Sequence, residues 1–353
     1  MMKLISFLFI LLPTICFFGS NYGGEVNIKK WLVYINDTIP VSRLSLPGAH
    51  DAATGNGLLP AFAPGVTQCM SISELWDCGI RVFDFRPALD GSTLNIYHGP
   101  LKTKVSFAQA VDMILQKISS DGKMAHEFAI VLMRNEKEND NVSENMRWAE
   151  AMGEYIASLG ERAAIFDPGI TVGELRGKIL FLSRSRYSGC NKGAGIEGWN
   201  HSPKGNFSAK ISSYGNDKTA RLMIQDFYAP TNEKKQSAKI NGIITLLDSA
   251  ANCSCGTWSI NHVSGFASTY LGINGLASDK GYRRNAANTH PATLLYIKGD
   301  SVLQRIKPVG PTGIIMMDYA GAAYLKGYHI MGDSLVAAII ANNFAETKVR
   351  IYK

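Results

Sequence analysis

The sequence predicts an α/β protein folded as a single irregular (β/α) barrel of the TIM type. Short β-rich runs alternate with helical patterns along most of the 353 residues, which is the order expected of strands joined by helices. Several runs are continuously apolar, as in parallel strands buried on both faces. Nearly every run also ends in a titratable side chain, and the carboxyl ends of barrel strands meet at one mouth.

The predicted strands are, in chain order, Val41–Leu46, Ile80–Phe85, Leu94–Tyr97, Ala129–Met133, Ile179–Leu182, Leu222–Ile224, Thr257–Ile260 and Gly313–Met317. Only Arg86–Thr93 lies between the second and third runs, whereas a parallel crossover needs about a dozen residues. We therefore expect a hairpin there, closed near Asp90-Gly91, and a barrel of irregular shape.

Helical patterns cover four segments: Phe107–Ile118, Val142–Leu159, Gln236–Ser249 and Asp333–Phe344. Asp333 and Ser334 are expected to cap the last of these helices. No internal repeat, low-complexity tract or long linker divides the chain, so residues 25–353 are predicted to form one domain.

Residues 1–20 are predicted to be a signal peptide. Lys3 supplies a positive start, Leu4–Leu12 (LISFLFILL) is an apolar core, and the small pair Gly19-Ser20 follows. An uncleaved anchor and a lipoprotein signal ending before Cys16 are the alternatives. No other segment reaches about 18 uninterrupted apolar residues, so the mature chain is expected to be secreted, periplasmic or at the cell surface.

The formal net charge of +7 and the isoelectric point of about 9.0 favour anionic partners. The basic residues are scattered, and the densest cluster, Lys234-Lys235 with Lys239, is short. No helix-turn-helix, zinc-finger or RNP pattern is present, so nucleic acid is not an expected partner.

The cysteines and five of the histidines carry no site motif. Cys253-Ser-Cys255 lacks the second ligand pair of a zinc site, Cys190 stands alone, and a Cys69–Cys78 disulfide stays open. The histidines expected at the surface or in packing are His126, His201, His262, His290 and His329.

The residues that could carry chemistry follow the predicted strands. They are His50, Asp51, Asp84, Arg86, His98, Arg134, Glu136, Arg184, Arg186, Asp226, Tyr228, Asp318 and Tyr319. Two imidazoles at one mouth suit phosphodiester cleavage, because one can take a proton from the attacking hydroxyl while the other gives one to the leaving oxygen. Arginine matches the oxygens of a phosphate. Zinc is the main alternative explanation for this combination of histidine and aspartate.

Six motifs, in a consistent order, resemble those of the bacterial phosphatidylinositol-specific phospholipases C of the X-domain type. They are LPGAHD (Leu46–Asp51), GIRVFDFR (Gly79–Arg86), IYHGP (Ile96–Pro100), RGKILFLSRSRYSG (Arg176–Gly189), IQDFY (Ile224–Tyr228) and IIMMDY (Ile314–Tyr319). The resemblance extends from about Asp37 to about Tyr319, and the first three motifs are the most specific.

This resemblance implies a distorted barrel that cleaves phosphatidylinositol to diacylglycerol and inositol 1,2-cyclic phosphate. His50 would be the general base on the inositol 2-hydroxyl, with Asp318 hydrogen-bonded to it. His98 would be the general acid toward the diacylglycerol oxygen, supported by Asp51.

The end of the second strand bears on the metal requirement. Calcium-dependent eukaryotic relatives carry an E-x-D pattern where this chain has Asp84-Phe85-Arg86. A guanidinium at Arg86 would repel a divalent cation and stabilise the phosphate charge itself, with Asp84 supporting it. We therefore expect neither a metal nor another cofactor.

The resemblance assigns the inositol site to Arg184 and Asp226, which would bind hydroxyls, and to Tyr228, which would pack against the ring. Arg134 stands where relatives place a lysine. Aligning on RYSG instead of GKI replaces Arg184 with Arg186, and this choice stays open.

The resemblance also implies a membrane-facing rim at Asn56–Val66 (NGLLPAFAPGV), with Leu58, Leu59 and Phe62 inserting into the interface. A buried loop is the alternative, since apolar residues usually lie inside. The expected partner is a membrane surface containing phosphatidylinositol, bound peripherally by a monomer.

Two other functions stay open. A non-catalytic inositol- or lipid-binding protein could use the same barrel, although binding alone needs no acid–base pair. A phosphodiesterase acting on a different headgroup would differ only at the inositol-binding residues.

Overall fold

The computed structural model describes residues 26–59, 65–119, 125–199, 205–267, 280–299 and 310–344. The predicted signal peptide, its Cys16 alternative and His201 lie outside these ranges. The strands are β1 (Ser45–Ala49), β2 (Val82–Phe85), β3 (Pro87–Asp90), β4 (Thr93–His98), β5 (Leu101–Ser106), β6 (Ala129–Met133), β7 (Ile179–Ser183), β8 (Ala194–Glu197), β9 (Asn206–Ser213), β10 (Thr219–Gln225), β11 (Trp258–His262), β12 (Gly313–Met317), β13 (Tyr324–Leu325) and β14 (Tyr328–His329).

Nine of these strands close into a barrel in the order β1-β12-β11-β10-β9-β8-β7-β6-β2, and β2 pairs back onto β1. Neighbouring strands are parallel except at β9, which is antiparallel to both β8 and β10. The predicted irregular barrel is therefore confirmed. Strands β8 and β9 were not predicted, because β9 is mostly half-exposed and lacks the apolar run of a buried strand.

Parallel strands that are buried along their whole length could be predicted from their continuous apolar runs. These strands are β1, β6, β7, β11 and β12. The predicted start of the first strand, at Val41, was wrong. Val41–Arg43 forms a 3₁₀ turn, and β1 begins at Ser45. Gly48 therefore lies inside the strand rather than in a turn. A Cβ there would lie 2.4 Å from Met316 Sδ and 3.2 Å from Val82 Cβ on the neighbouring strands, so a larger residue would require the Met316 side chain to move.

The hairpin was predicted at the correct turn but with the wrong first arm. Asp90 pairs with Thr93 across Gly91, yet the arm preceding the turn is β3, while β2 stays in the barrel. Strands β3, β4 and β5 form a separate antiparallel sheet. His98, the last residue of β4, therefore reaches the mouth from outside the barrel.

Seven α-helices occur in the described residues: α1 (Ile72–Asp77), α2 (Phe107–Ser119), α3 (Val142–Ser158), α4 (Val172–Leu175), α5 (Glu233–Asn252), α6 (Lys280–Lys298) and α7 (Gly332–Ala341). The four predicted helices correspond to α2, α3, α5 and α7. Helix α6 was missed because it is polar and contains Pro291. The predicted caps of α7 are wrong: its N-cap is Met331, in the left-handed conformation, and Asp333 lies in the first turn.

A buried ion pair lies at the amino end of the barrel, opposite the mouth. Arg81 Nε is 2.6 Å from Glu127 Oε2, and Glu127 Oε1 accepts a hydrogen bond from Leu32 N at 3.1 Å. Residues at this end of a barrel usually contribute to stability rather than to catalysis.

A second apolar cluster, separate from the main core, comprises Tyr282, Ala286, Tyr319, Ala322 and Ile330. It joins helix α6 to the segment that follows β12. Tyr319 is the second residue after the carboxyl end of β12, so this cluster packs beside the mouth of the barrel.

All five cysteines in the described residues are free, so the Cys69–Cys78 disulfide is not formed. Cys78 Sγ instead lies 3.4 Å from Met70 Sδ. Among the helices of the described ranges, none combines the length and the apolar character needed to cross a bilayer.

Candidate active site

A pocket of about 530 Å³, counting the space open to solvent, lies at the mouth of the barrel. Its lining is His50, Asp51, Arg86, His98, Arg134, Glu136, Arg184, Asp226, Tyr228 and His262. Asp84 and Asp318 lie behind these residues and are fully buried. The strand-end residues singled out from the sequence thus converge on one pocket, apart from Arg186, which is exposed, and Tyr319, which is buried in the cluster beside the mouth.

His50 and Asp318 meet because β1 and β12 pair in register, with Ala49 opposite Met317. His50 Nδ1 lies 2.9 Å from Asp318 Oδ1, while Asp318 Oδ2 accepts a hydrogen bond from Gly265 N at 2.9 Å. A carboxylate here can only accept, so Nδ1 carries the proton and Nε2 is the atom directed into the pocket.

Asp51 lies between the two imidazoles. Its Oδ2 is 3.4 Å from His50 Nε2 and 3.6 Å from His98 Nε2, and its Oδ1 is 3.2 Å from Arg86 Nε. Asp51 has a positive φ of 43°, a conformation that aspartate tolerates better than most residues. The sequence linked Asp51 to His98 alone, whereas in the structure it contacts both histidines and the arginine.

Arg86 is held by two carboxylates. Its Nη2 lies 2.9 Å from Asp84 Oδ2, in addition to the Asp51 contact. Asp84 and Arg86 are two positions apart, so an extended chain sends both side chains to the same face. Burial disfavours the charge, but Asp84 and Asp51 outweigh burial and raise the pKa of Arg86, so the guanidinium is permanent.

The same carboxylates could in principle hold a cation. Ligand atoms of His50, Asp51 and Asp84 all lie within 4.8 Å of one another. The Arg86 guanidinium, however, already bonds both carboxylates, and a divalent ion would have to displace it. These residues therefore fit a metal ion poorly.

His98 is fixed by the main chain. Its Nδ1 lies 2.5 Å from the carbonyl oxygen of Gly65. A carbonyl only accepts, so Nδ1 carries a proton in both protonation states of His98, and Nε2 is the atom that exchanges one.

The carboxylates around His50 favour its imidazolium form. Burial alone lowers its pKa, but the carboxylates of Asp51, Asp318 and Asp84 outweigh burial and raise the pKa to about 9 from 6.5. His50 is therefore largely protonated at neutral pH, and the neutral form whose Nε2 can accept a proton grows as the pH rises toward 9.

The opposite side of the pocket is organised around Trp199. The Arg184 guanidinium lies 4.3 Å from the centroid of the Trp199 ring, and Trp199 Nε1 donates to Asp226 Oδ2 at 3.0 Å. The Trp199 indole thus contacts both the Arg184 cation, through its ring face, and the Asp226 anion, through its N–H. Burial beside Arg86 lowers the pKa of Arg184, yet arginine keeps its charge in proteins.

The structure decides between the two arginines after β7. Arg184 lines the pocket, whereas Arg186 is exposed and lies outside it. The expectation that Arg186 binds substrate is therefore wrong. The cause is local: Ser183 Oγ donates to Ser185 O, so the chain turns directly after the strand.

His262 lines the pocket and was wrongly expected to be a surface or packing residue. Its Nδ1 lies 3.0 Å from Ser264 Oγ, and its ring meets His50 edge-on at 5.6 Å. Burial lowers its pKa to about 3, so it is neutral. His262 ends β11, and the strand-end rule would have found it had the predicted run not stopped at Ile260.

Two further residues were given no role: Glu136, which lines the pocket, and Tyr282, which lies beside it. Glu136 follows Arg134 by two positions, and its Oε1 accepts from Gly99 N at 2.7 Å. Tyr282, on α6, lies beside His98. No signal in the sequence points to Tyr282, because the segment before it has no strand or helix pattern.

Two of the three residues expected at the membrane-facing rim lie in the described residues. Leu59 is 2% exposed, so its expected contact with the membrane interface is wrong. Leu58 is partly buried against the core. Phe62 lies outside the described residues.

The fold and the pocket together define a (β/α) barrel with a histidine pair, carboxylates and arginines at its carboxyl mouth. The 1-phosphatidylinositol phosphodiesterase of Listeria monocytogenes is 30% identical over 169 residues, which are 46% of this chain and 50% of that protein. The aligned segment therefore spans half the length of that curated relative. No family model matches.

Solved structures give the same barrel over nearly the whole chain. A variant of the phosphatidylinositol-specific phospholipase C of Staphylococcus aureus superposes with a TM-score of 0.66 at 20% identity, covering 88% of this chain and 96% of that one. The corresponding enzyme of Listeria monocytogenes gives 0.61 at 22% identity, covering 90% and 99%. The resemblance noted in the sequence is confirmed, and the chain has the fold of these bacterial proteins.

Proposed function

We propose that this protein is a phosphatidylinositol-specific phospholipase C that releases diacylglycerol and inositol 1,2-cyclic phosphate. The observation that carries the proposal is the pairing of two imidazoles around one carboxylate. His50 Nε2 and His98 Nε2 lie 3.4 and 3.6 Å from the same Asp51 oxygen, with Arg86 beside them. The name of the Listeria relative supports the substrate class.

His50 would act as the general base. With Nδ1–H donated to Asp318, its Nε2 takes the proton of the inositol 2-hydroxyl as that oxygen attacks phosphorus. Asp318 holds the tautomer and stabilises the imidazolium that forms. Because the nucleophile belongs to the substrate, orientation of the inositol ring supplies much of the rate advantage.

Arg86 would bind the phosphate oxygens, on which charge develops in the transition state. Asp51 and Asp84 each fix one part of the guanidinium, so it is oriented before the substrate arrives. Such preorganised charge is often the largest contribution to catalysis.

His98 would act as the general acid. Its Nε2–H gives a proton to the glycerol oxygen as the P–O bond to diacylglycerol breaks and the bond to the inositol 2-oxygen forms. The proton gained by His50 and the proton lost by His98 balance within one turnover. Gly65, by holding Nδ1, keeps Nε2 directed at the leaving group.

The inositol ring would lie against Tyr228, with its hydroxyls bonded to Arg184 and Asp226. Trp199 orients both of these charged groups. Arg134 and Glu136 line the same pocket and complete its polar wall.

The reaction would need no metal ion, because Arg86 supplies the positive charge. The enzyme would act as a monomer at the surface of a membrane that contains phosphatidylinositol, outside the cytoplasm. Phe62→Asp should lower binding to vesicles while sparing hydrolysis of a soluble inositol phosphodiester. Equal loss on both substrates would argue against a membrane-facing rim.

Phosphorus NMR of the products tests the proposal. Phosphatidylinositol in mixed micelles with excess chelator should first give a cyclic phosphodiester, and His50→Ala should abolish it. Loss of activity with chelator would overturn the metal-free reaction. Lipid binding without turnover by the unmodified protein would favour a non-catalytic binding protein, and turnover of another phospholipid instead would favour a different headgroup.

A further inference from the structure

We propose that Tyr282 is a positioning residue for the general acid His98, and that Tyr228 and Tyr282 form a chain of two phenols linking the inositol site to His98 Nε2. This inference rests on the proposed function, since it assigns a part in that reaction. It concerns the neutral imidazole of His98, which is the form left after this general acid has given its proton to the leaving group.

The Tyr282 hydroxyl lies between the other two groups. Its oxygen is 2.9 Å from the Tyr228 hydroxyl and 3.4 Å from His98 Nε2. The second distance is long for a hydrogen bond, but catalytic contacts often tighten only when substrate binds. The Tyr282 and His98 rings are tilted by 60° with centroids 6.0 Å apart.

The Tyr282 side chain is held firmly in this position. It is 5% exposed and belongs to the cluster beside the mouth, with Ala286 and Ile330. The Phe266 ring meets it edge-on at 5.0 Å. A phenol locked by packing can place its hydroxyl reproducibly, which is what a positioning role requires.

The hydrogen-bond inventory fixes the direction of the chain. Gly65 occupies Nδ1 of His98, so a neutral His98 presents Nε2 as an acceptor. Tyr282 can then donate to Nε2 and accept from Tyr228. When His98 is protonated, Nε2–H is instead available to the leaving oxygen or to Asp51. Burial, together with the charges of Asp51 and Asp318, raises the pKa of Tyr282, so its hydroxyl keeps the proton it donates.

Tyr282 therefore stabilises the product of the acid step, the neutral imidazole. This matters when the leaving group needs a proton. A diacylglycerol alkoxide is a poor leaving group and depends on the general acid, whereas a nitrophenolate leaves without protonation.

Tyr282→Phe, which removes only the hydroxyl, tests this difference. With phosphatidylinositol we expect kcat to fall about 3–10-fold, the effect of one hydrogen bond, with KM nearly unchanged. With nitrophenyl inositol phosphate the change should stay within about twofold. His98→Ala should follow the same pattern with a larger loss, about 10²–10⁴-fold on the lipid.

Tyr187→Phe is the matched control. Tyr187 is equally buried, and its hydroxyl donates to Lys192 O at 2.7 Å, away from the pocket. It should change neither substrate by more than about twofold. If Tyr282→Phe loses activity equally on both substrates, the role of Tyr282 is structural; if it loses none on either, Tyr282 has no part in the reaction.

A measurement without substrate separates this inference from the proposed function. In protein labelled with ¹⁵N-histidine, Tyr282→Phe should shift the His98 Nε2 signal while Tyr187→Phe should not. An unchanged signal would overturn the contact. An unmodified protein that cleaves neither substrate would instead refute the proposed function, and the NMR comparison would still decide on Tyr282.

Discussion

Asp318→Asn should abolish the proposed activity by reversing the tautomer of His50. Asp318 uses both oxygens: Oδ1 faces His50 Nδ1 and Oδ2 accepts from Gly265 N. In the asparagine variant the amide oxygen must stay opposite Gly265 N–H, since an NH₂ there would meet another donor. The NH₂ group then faces His50 and donates to Nδ1, so the proton moves to Nε2 and the base is blocked.

The expected magnitude follows from two contributions. The rise in the pKa of His50 from 6.5 to about 9 corresponds to about 3 kcal/mol in favour of the imidazolium, and Asp318 supplies part of it. Loss of one hydrogen bond to a charged group costs about 1.5–3 kcal/mol, or about 10–150-fold in rate. The wrong tautomer adds to this, and the same exchange in serine proteases costs about 10⁴-fold.

Asp318→Ala distinguishes the two contributions. It removes the charge but imposes no tautomer, so it should lose about 10–150-fold, whereas Asp318→Asn should lose at least about 10³-fold. The assay is diacylglycerol release from mixed micelles, with ¹⁵N NMR to read which nitrogen of His50 is protonated. Asp333→Asn, on helix α7, is the control and should stay within about twofold. An asparagine variant as active as the alanine variant would refute the tautomer argument.

Three further predictions concern other parts of the molecule. Because the pKa of His50 is raised to about 9 in the free enzyme, kcat/KM for a soluble substrate should rise with pH until about 9; a plateau already reached near pH 6.5 would contradict this. Trp199→Phe keeps a ring against Arg184 but loses the hydrogen bond to Asp226, so KM should rise about 2–10-fold with little change in kcat. The control Trp258→Phe, at a site remote from the pocket, should change neither constant. Burial lowers the pKa of His290 to about 3 from 6.5; the folded state therefore binds fewer protons than the unfolded state below pH 6.5, and stability is lost as the pH falls, by about 2 kcal/mol between pH 7 and 5. In urea denaturation His290→Leu should show a correspondingly smaller loss over that range, and an unchanged loss would count against this account.

The sequence revealed those strands that are buried on both faces. Ala129–Met133 and Gly313–Met317 were predicted at their observed bounds, because a parallel strand covered by helices must be apolar throughout. Strand β9 pairs on both sides yet exposes one face, so its sequence does not differ from that of a loop. The antiparallel part of the barrel, strand β9 with its neighbour β8, is thus the part of the barrel that the sequence did not predict.

The pocket was predictable where residues directly follow strands that the sequence had revealed. His50, Arg184 and Asp226 were found in this way, and His262 was missed only because its strand extends beyond its apolar run. Leu59 was misplaced, since composition does not say which side of a loop faces inward. Trp199 and Tyr282 contact residues of the pocket from a hairpin and a helix outside the strand-end pattern, and only tertiary packing brings them there.

The contact between His50 and Asp318 has a consequence for how the protein is made. These residues are 268 positions apart and meet where β1 pairs with β12, and contacts so distant along the chain form late. A growing chain carries His50, Arg86 and His98 long before it carries Asp318. Every incomplete chain that ends before β12 should therefore lack the proposed activity on lipid, which can begin only when β12, the last strand of the barrel in chain order, has been added.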